Sequence, residues 1–273
     1  MLYLVGTPIG NMGDMSSRGV EILSSADVIA CEDTRRTGLL LQHFGIEGKL
    51  FSYHEHNKAA KGPVLVNMMK EGADVALVSD AGMPSINDPG EDLVKLCIEN
   101  DVEVTAVPGP VAAVTALVLS GLDTTKFHYE GFLPSQGSPR KKRIEALRAY
   151  DETVIIYEAP HRLMKLIDEL IEAGFGSCQA AFCRELTKRY EEVLRLSVNE
   201  AKEHFEKIPP KGEFVICLEG LGEVSEEKKV DPDELIRQLA AQGLPTKKIA
   251  SEVAVATGLS KKEMYERALH LLQ

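Results

Sequence analysis

A glutamate and a lysine three residues apart, Glu185 and Lys188, come directly after a run of apolar residues that predicts a buried strand. A lysine ammonium lowers the pKa of a hydroxyl group beside it, and a partly desolvated lysine can accept the proton of that hydroxyl. The pair could therefore serve a reaction in which a hydroxyl group is the nucleophile. The alternative is an exposed charged turn without a chemical role.

A second group of charged residues follows the apolar run Val28–Cys31, in the segment Glu32-Asp33-Thr34-Arg35-Arg36. One interpretation is a helix N-terminus with Asp33 as its cap and with solvated charges around it. The other is the polar wall of a substrate site, in which the Arg35 guanidinium binds a phosphate and Arg36 lies beside it. The sequence leaves both interpretations open.

Two histidines and an asparagine, His54, His56 and Asn57, follow a third predicted strand. The spacing of the histidines occurs in metal sites, but no matching pair of cysteine or histidine ligands is visible elsewhere in the chain. We therefore predict no metal site. We expect His54 and Asn57 to contact the bases or the backbone of a substrate.

The densest basic run is Arg140-Lys141-Lys142-Arg143. Such a run is usually the solvated face of a helix, but it can also contact nucleic acid. The formal net charge of −11 over 273 residues argues against non-specific binding of nucleic acid by the whole surface. If the chain binds RNA, local basic groups such as these four are the expected contacts.

Short apolar runs alternate with helices of about ten residues through the first part of the chain, which predicts a mostly parallel sheet covered on both faces. One of these runs, Val75–Val78, ends in Ser79-Asp80-Ala81-Gly82. Asp88 is predicted to cap the next helix, with Pro89 in its first turn. Because ligands bind at the carboxyl ends of parallel strands, the polar clusters are expected to line one cleft.

The strand pattern divides the chain into three predicted parts: an α/β domain at 1–121, a second α/β domain at 122–222, and a helical module at 231–273 joined by a charged linker. Strands without intervening helices predict a mixed sheet in the second domain. A turn between the last two helices predicts a helix-turn-helix. No apolar run reaches the roughly 20 residues of a membrane span, and five cysteines without a CxxC pair favour reduced thiols in the cytoplasm.

Nine motifs, taken in order, resemble one family. They are VGTPIGN at 5–11, EDTR at 32–35, HEHN at 54–57, LVSDAGMPSINDPG at 77–90, VPGPVAA at 107–113, YEGFLP at 129–134, YEAPHR at 157–162, RELTK at 184–188 and KGEFV at 211–215. Over about residues 1–220 the chain resembles the ribosomal small subunit methyltransferase I family of the tetrapyrrole methylase superfamily. The first loop is not a dinucleotide-binding fingerprint, and it departs from the glycine-richer loop often found in the superfamily.

The resemblance implies a class III, tetrapyrrole-methylase-like α/β fold and S-adenosylmethionine-dependent 2′-O-methylation of a cytidine ribose in 16S ribosomal RNA. It also implies a homodimer, and a cofactor bound in the cleft between the two α/β domains. The residues that it assigns to the cofactor are Pro8, Ser79, Asp80, Ala81, Gly82, Met83, Val111, Ala112, Tyr157, Glu158, Leu186, Gly212 and Glu213.

For the reaction, we expect Lys188 to act on the ribose hydroxyl while Glu185, Asp33 and Arg35 orient the ribose or a phosphate. The acidic charge predicts a substrate presented in an assembled ribosomal particle. Two alternatives stay open: a methylase of corrin or porphyrin precursors, and a non-catalytic RNA- or protein-binding module. The EDTR segment and the helical tail argue against the first of these.

Overall fold

The computed structural model describes residues 1–222, 232–257 and 259–272. They form two compact units, Met1–Leu221 and Gly222–Gln273. Among these residues, no helix combines the length and the apolar character that a membrane crossing requires.

The first sheet has five parallel strands in the order β3-β2-β4-β1-β5. The strands are β1 Leu2–Val5, β2 Val28–Cys31, β3 Leu50–Ser52, β4 Val75–Val78 and β5 Val104–Val107. The helices are α1 Ser17–Ser25, α2 Thr34–Phe44, α3 Lys58–Lys70, α4 Glu91–Glu99 and α5 Ala112–Ser120. Strands β2 and β4 are buried at every position, as expected for apolar strands covered on both faces. The parallel direction brings the carboxyl ends of these strands, and the loops that follow them, to one edge.

The start of α4 differs from the prediction. The helix begins at Glu91, and Gly90 stands at its N-cap without a side-chain cap, so Asp88 does not cap it. The prediction was wrong because the chain turns sharply before the helix: Ser85 and Asn87 are left-handed, and Gly90 has a φ of 149° that a side chain would strain. The turn directs Asp88 away from the capping position of α4.

The second sheet is mixed, as predicted, with the order β6-β7-β10-β8-β9. Only β6 and β7 are parallel to each other, and the other pairs are antiparallel. Its strands are β6 Phe127–Phe132, β7 Thr153–Glu158, β8 Gln179–Arg184, β9 Glu192–Ser197 and β10 Phe214–Leu218, and its helices are α6 Gly137–Leu147, α7 Pro160–Glu172 and α8 Val198–Lys207.

Helix α5 connects the two sheets. Its small apolar residues Ala113, Ala116 and Leu117 share one core cluster with Ile155 on β7 and Cys217 on β10. The last helix of the first sheet is therefore packed on a face of the second sheet, within the unit Met1–Leu221. The predicted domain boundary after residue 121 falls just beyond this helix and stays a prediction.

The described residues of the second unit form three helices, α9 Pro232–Ala241, α10 Thr246–Thr257 and α11 Lys261–Leu271. They share a small core of their own, to which Ile236, Ile249 and Met264 each contribute. Ser260 caps α11 by accepting a hydrogen bond from the amide of Glu263. Most of the predicted linker lies outside the described residues.

Candidate active site

A cavity of about 380 Å³ opens where the strand-end loops of the first sheet meet β7, β8 and β10. We call it the main cavity. Its wall is largely apolar, with contributions from Ile9, Met83, Val111, Leu186, Phe214 and Val215. The polar side chains in the wall include Asn87, Asp88, Lys188 and Glu213. An apolar cavity of this size with a few convergent polar groups is typical of a small-molecule site.

Most of the residues assigned to the cofactor by resemblance lie in this wall: Ala81, Gly82, Met83, Val111, Ala112, Tyr157, Glu158, Leu186 and Glu213. Four assigned residues do not line it: Pro8, Ser79, Asp80 and Gly212. Wall residues that the sequence interpretation missed include Ile9, Asn87, Asp88 and Phe132. Asn87 and Asp88 could have been found, because they belong to the same loop as Met83.

The loop after β4 is held in place by the loop after β1. The amides and carbonyls of Thr7 and Gly82 exchange two hydrogen bonds, of 2.9 and 3.1 Å. The buried Ser79 hydroxyl donates to the carbonyl of Gly82 at 3.1 Å. Gly82 has a φ of 86°, so a side chain there would be strained. Ser79 and the segment around Pro8 thus shape the cavity, although neither residue lines it.

Lys188 lies in the wall between two carboxylates. Its Nζ is 3.1 Å from Oε1 of Glu185 and 2.8 Å from Oε2 of Glu213. Burial acts to lower the pKa of Lys188, but the hydrogen bonds to Glu213 and Glu185 outweigh it, and the pKa is raised. Lys188 is therefore a firmly held cation, which opposes the interpretation that it accepts a proton.

The carboxylate of Glu185 is occupied by the protein itself. Its Oε1 also accepts a hydrogen bond of 2.9 Å from the amide of Glu213. A Cβ at Gly212, where φ is 87°, would lie 2.6 Å from Cγ of Glu185. Gly212 thus leaves room for Glu185, and Glu185 fixes Lys188. Through its Oε1 atom Glu185 positions Lys188, and the expected contact of Glu185 with the ribose stays a prediction.

The hydroxyl of Tyr157 accepts a hydrogen bond of 3.0 Å from the amide of Ala113, in the first turn of α5. Burial raises the pKa of Tyr157, which keeps the phenol protonated. The contact ties the end of β7 to the start of α5. Tyr157 and Ala112 consequently form one continuous part of the wall.

Glu158 and Arg140 form a buried ion pair behind the wall, with 3.0 Å between Oε2 and Nη2. Arg162 also pairs with Glu158, and Arg140 reaches Glu169 at 2.6 Å. Arg140 is only 1% exposed. The expectation that Arg140 contacts RNA is therefore corrected, because its guanidinium is enclosed and its charge is neutralised by two carboxylates.

The other members of the basic run lie at the surface. Lys141 and Lys142 are exposed. Arg143 is half-exposed and forms a two-bond ion pair with Glu130, with distances of 2.6 and 2.8 Å. Lys141 and Lys142 are thus better placed than Arg143 to meet a polyanion.

A second, open cavity lies at the ends of β2, β3 and β4. We call it the polar cavity. It is lined by Glu32, Asp33, Thr34, Arg35, Ser52, His54, Glu55, His56 and Asp80. The structure thus brings the EDTR and HEHN segments together, as the strand-end argument predicted. Asp80 lines this cavity rather than the main one, which corrects its expected place at the cofactor.

Both interpretations of the EDTR segment find support in the polar cavity. Asp33 caps α2 by accepting from the amide of Arg35, and it also pairs with the Arg35 guanidinium. The hydrogen bonds to Arg35 hold the pKa of Asp33 far below its usual range. Arg35 nevertheless exposes 88% of its side chain, and Arg36, 69% exposed, pairs with Asp80. Asp33 is thus a structural cap, while Arg35 can still meet a phosphate.

Asn57 stabilises its own loop rather than facing outward. Its Oδ1 accepts from the amide of His54 at 2.9 Å, and its Nδ2 donates to the carbonyl of Ser52 at 3.2 Å. The Nδ2 also lies 3.1 Å from Nε2 of His54. Asn57 is therefore a loop residue, whereas His54 lines the polar cavity. No group of three or more His, Cys, Asp or Glu side chains within the described ranges could hold a metal ion.

Comparison with known proteins identifies the family. Residues 1–202 match the family described as Tetrapyrrole (Corrin/Porphyrin) Methylases, and residues 226–272 match the RsmI C-terminal HTH domain. The chain is 44% identical to the Ribosomal RNA small subunit methyltransferase I of Halalkalibacterium halodurans, over 97% of this chain and 93% of that protein. The chain belongs to the ribosomal RNA small subunit methyltransferase I family. The member from Escherichia coli O157:H7 is 42% identical over 98% of this chain and 94% of its own length.

Solved structures agree on the fold. The chain is similar to uroporphyrin-III C-methyl transferase from Thermus thermophilus complexed with S-adenyl homocysteine, with a TM-score of 0.56. The identity is 18%, and the similarity covers 81% of this chain and 97% of that one. The predicted tetrapyrrole methylase fold is confirmed. The RsmI family name and the RsmI-type C-terminal domain separate this chain from the tetrapyrrole branch.

Proposed function

We propose that this protein transfers a methyl group from S-adenosylmethionine to the 2′-hydroxyl of a cytidine ribose in 16S RNA of the small ribosomal subunit. The observation that carries the proposal is the similarity of 42–44% identity, over nearly the whole chain, to curated small-subunit ribosomal RNA methyltransferases. The adjoining main and polar cavities give a place for a small cofactor and for a charged substrate. This arrangement favours the enzyme over a non-catalytic binding module.

The main cavity fits S-adenosylmethionine by its chemistry. Its apolar wall suits the adenine ring, and Gly82 leaves the backbone of the cofactor loop open to close approach. The carboxylate of Asp88, which lines the same cavity, suits a positively charged ligand. We expect Ala81, Gly82 and Met83 on one side and Tyr157 and Leu186 on the other to hold the cofactor.

When bound, S-adenosylmethionine supplies a methyl group already activated by a positively charged sulfur. The protein must therefore align the substrate hydroxyl and help it to lose its proton. Lys188, as a fixed cation, stabilises negative charge developing on the hydroxyl oxygen. The proton then passes to water or to another acceptor rather than to Lys188.

The polar cavity is the proposed RNA site. Arg35 offers an exposed guanidinium to a phosphate, Arg36 and His54 lie beside it, and Lys141 and Lys142 extend the basic surface on α6. Arginine pairs readily with phosphate oxygens, and sequence-specific RNA recognition also needs contacts to the bases. A tetrapyrrole precursor is the second candidate from the superfamily, and the RNA-methylating relatives disfavour it.

The test is methyl transfer from labelled S-adenosylmethionine to small ribosomal subunits taken from a strain that lacks the enzyme. We expect label at one cytidine, on the ribose 2′-oxygen, after nuclease digestion and mass spectrometry. Label on a base, or on no RNA at all while a porphyrin precursor is methylated, would contradict the proposal.

We also propose that the protein is a homodimer that acts in the cytoplasm, where small ribosomal subunits are found. The family resemblance supports the dimer, and five buried cysteines are compatible with a reducing compartment. Because one chain has a mass of 29.9 kDa, the proposed dimer should sediment with twice that mass. Sedimentation equilibrium that gives only the monomer mass at micromolar concentration would contradict the dimer.

A further inference from the structure

Three acidic residues line the main cavity, and the carboxylates of two of them are paired with cations of the protein. Glu158 pairs with Arg140 and Arg162, and Glu213 pairs with Lys188. The third is Asp88, for which no cation lies within ion-pair distance in the part of the chain that the structure describes. Its charge in the ligand-free protein is therefore uncompensated.

Asp88 is partly buried, and its surroundings oppose its charge. Burial raises the pKa of Asp88 to about 6, the negative charges of Glu32 and Asp80 add to the effect, and the nearby Ser79 hydroxyl opposes it. The negative charge of Asp88 also contributes to the raised pKa values of Tyr129 on β6 and Tyr157 on β7. The charged groups that shift the pKa of Asp88 are thus both acidic, and the one cation in the cavity wall, Lys188, is paired with Glu185 and Glu213.

The loop holds Asp88 in this unfavourable place. Ser85 and Asn87 have φ angles of 70° and 63°, which cost free energy in residues other than glycine. Asn87 packs on Gly131, where a Cβ would lie 3.0 Å from the Asn87 side chain. Gly131 sits at an irregularity in the pairing of β6 with β7. The loop is therefore fitted to the second sheet, and Asp88 is held at the cavity wall.

We propose that Asp88 is the counter-ion of the sulfonium group of bound S-adenosylmethionine. This inference rests on the proposed function. The position of Asp88 favours the sulfonium over the amino group of the ligand: Asp88 lines the main cavity, while its acidic neighbours Glu32 and Asp80 line the polar cavity. The methyl group must be presented at that border, so the charged sulfur belongs there too.

The test is isothermal titration calorimetry of the full-length protein with two ligands that differ in this charge. S-adenosylmethionine has a sulfonium, and S-adenosylhomocysteine has a neutral thioether but the same amino acid group. We expect Asp88→Asn to weaken S-adenosylmethionine binding about tenfold or more, as for loss of a charged partner, and S-adenosylhomocysteine binding less than about threefold. Glu91→Gln, which removes one exposed charge outside both cavities, is the matched control and should leave both affinities within about twofold.

The pH dependence gives a second readout. Below pH 6 Asp88 of the wild-type protein takes up a proton. The affinity for S-adenosylmethionine relative to that for S-adenosylhomocysteine should therefore fall towards the value of the Asp88→Asn variant. In that variant the ratio should not change between pH 8 and pH 5. Glu32 and Asp80 remain present in both proteins, so their titration cancels in this comparison.

The outcomes separate the two proposals. If Asp88→Asn weakens both ligands equally, or neither, Asp88 is not the sulfonium counter-ion, and the proposed function is untouched. If the wild-type protein binds neither ligand, the proposed function fails. A circular dichroism melt of each variant shows that the protein tested is folded.

Discussion

At the scale of single residues, Lys188 is held as a cation by two carboxylates, and this favours one of its two proposed roles, stabilisation of negative charge. A lysine that accepts a proton must spend part of its time neutral, and the raised pKa of Lys188 prevents that near neutral pH. Charge stabilisation of the substrate oxygen remains. The hydrogen bonds that Lys188 donates to Glu185 and Glu213 then orient its ammonium group.

We expect Lys188→Ala to lower kcat by about 10²- to 10³-fold, the usual loss for one electrostatic group at a reacting oxygen. Lys188→Arg should recover part of the activity because it retains the charge. Lys211→Ala, in an exposed cation outside the cavity wall, is the control and should be near normal. Single-turnover kinetics on small ribosomal subunits give the measurement, and near-normal turnover of Lys188→Ala would remove Lys188 from the reaction.

Asp88 carries a stability cost that its proposed role explains. Its pKa when folded, about 6, lies above its value of 3.8 in an unfolded chain, so ionisation disfavours the folded state. The cost is absent below the lower value and complete above the higher one. An unscreened shift of about two units would cost roughly 3 kcal/mol, and partial solvent exposure reduces this to about 1–2 kcal/mol.

Asp88→Asn should therefore stabilise the ligand-free protein by about 1–2 kcal/mol at pH 8 and by much less at pH 4. Urea denaturation at the two pH values measures the difference. Glu91→Gln again serves as the control. An equal effect at both pH values would show that the substitution acts through packing rather than charge.

At the scale of the elements, α6 presents one charged residue to the interior and the next two to solvent. Arg140, Ile144 and Leu147 are all buried and follow the spacing of one helix face. Lys141 and Lys142 lie outside that face. The buried face joins α6 to β7 and α7 through the ion pairs of Arg140 with Glu158 and Glu169.

We expect Arg140→Ala to destabilise the protein by about 3–5 kcal/mol, because it leaves Glu158 buried with one cation fewer. Lys141→Ala should change the free energy of unfolding by less than about 0.5 kcal/mol but weaken RNA binding. Chemical denaturation and filter binding to small ribosomal subunits measure the two effects. If Arg140→Ala unfolds like the wild type, the pair does not stabilise the wall.

Part of the fold and of the site could be predicted from the sequence of these elements. Alternating strands and helices predict the parallel sheet, and the polar segments at strand ends predict where the site lies. The burial of Arg140 could also have been predicted from its spacing to Ile144 and Leu147. The contact of Gly6 with Gly109 could not: a Cβ on Gly6 would lie 2.6 Å from the Cα of Gly109, and only the neighbouring positions of β1 and β5 make that evident.

The sequence predicts where the site lies in the fold better than it predicts which side chains contact each other there. Asp88 followed by Pro89 is typical of a helix start, and nothing local shows that left-handed Ser85 and Asn87 turn Asp88 towards the cavity. The contacts of Asp33 with Arg35 and of Glu185 with Lys188 were unpredictable for the same reason, and the assignment of both residues to the substrate stays a prediction. Both residues are bound by neighbours that the fold supplies, and a short motif does not contain that information.

At the scale of the whole molecule, the main cavity belongs entirely to the unit Met1–Leu221, which has its own cores. We therefore expect a protein that ends at Leu221 to fold and to bind S-adenosylmethionine within about threefold of the full chain. Transfer to small ribosomal subunits should fall by at least about tenfold, because exposed cations such as Lys247 and Lys261 are lost. Calorimetry and methyl transfer measure the two steps, and undiminished transfer would show that the module has no part in substrate binding.

The distribution of charge bears on the form of the substrate. Residues 231–273 contain six acidic and six basic residues, so the net charge of −11 is carried by residues 1–230. A body this acidic repels an unstructured polyanion except where exposed cations such as Arg35 and Lys141 meet it. A folded ribosomal surface can present phosphates to those few positions. A short naked RNA loses conformational entropy when it binds, and the acidic remainder of the protein surface repels it.

We therefore expect assembled small subunits to be methylated at least about 100-fold more efficiently, in kcat/KM, than a naked RNA fragment of the same sequence. Raising the salt concentration should narrow the gap, because screening weakens repulsion of the fragment while it also weakens the few favourable contacts to the particle. Arg35→Ala should lower transfer to both substrates, and Lys95→Ala, in an exposed cation on α4, should affect neither. Equal methylation of particle and fragment at low salt would show that the acidic body does not select the assembled substrate.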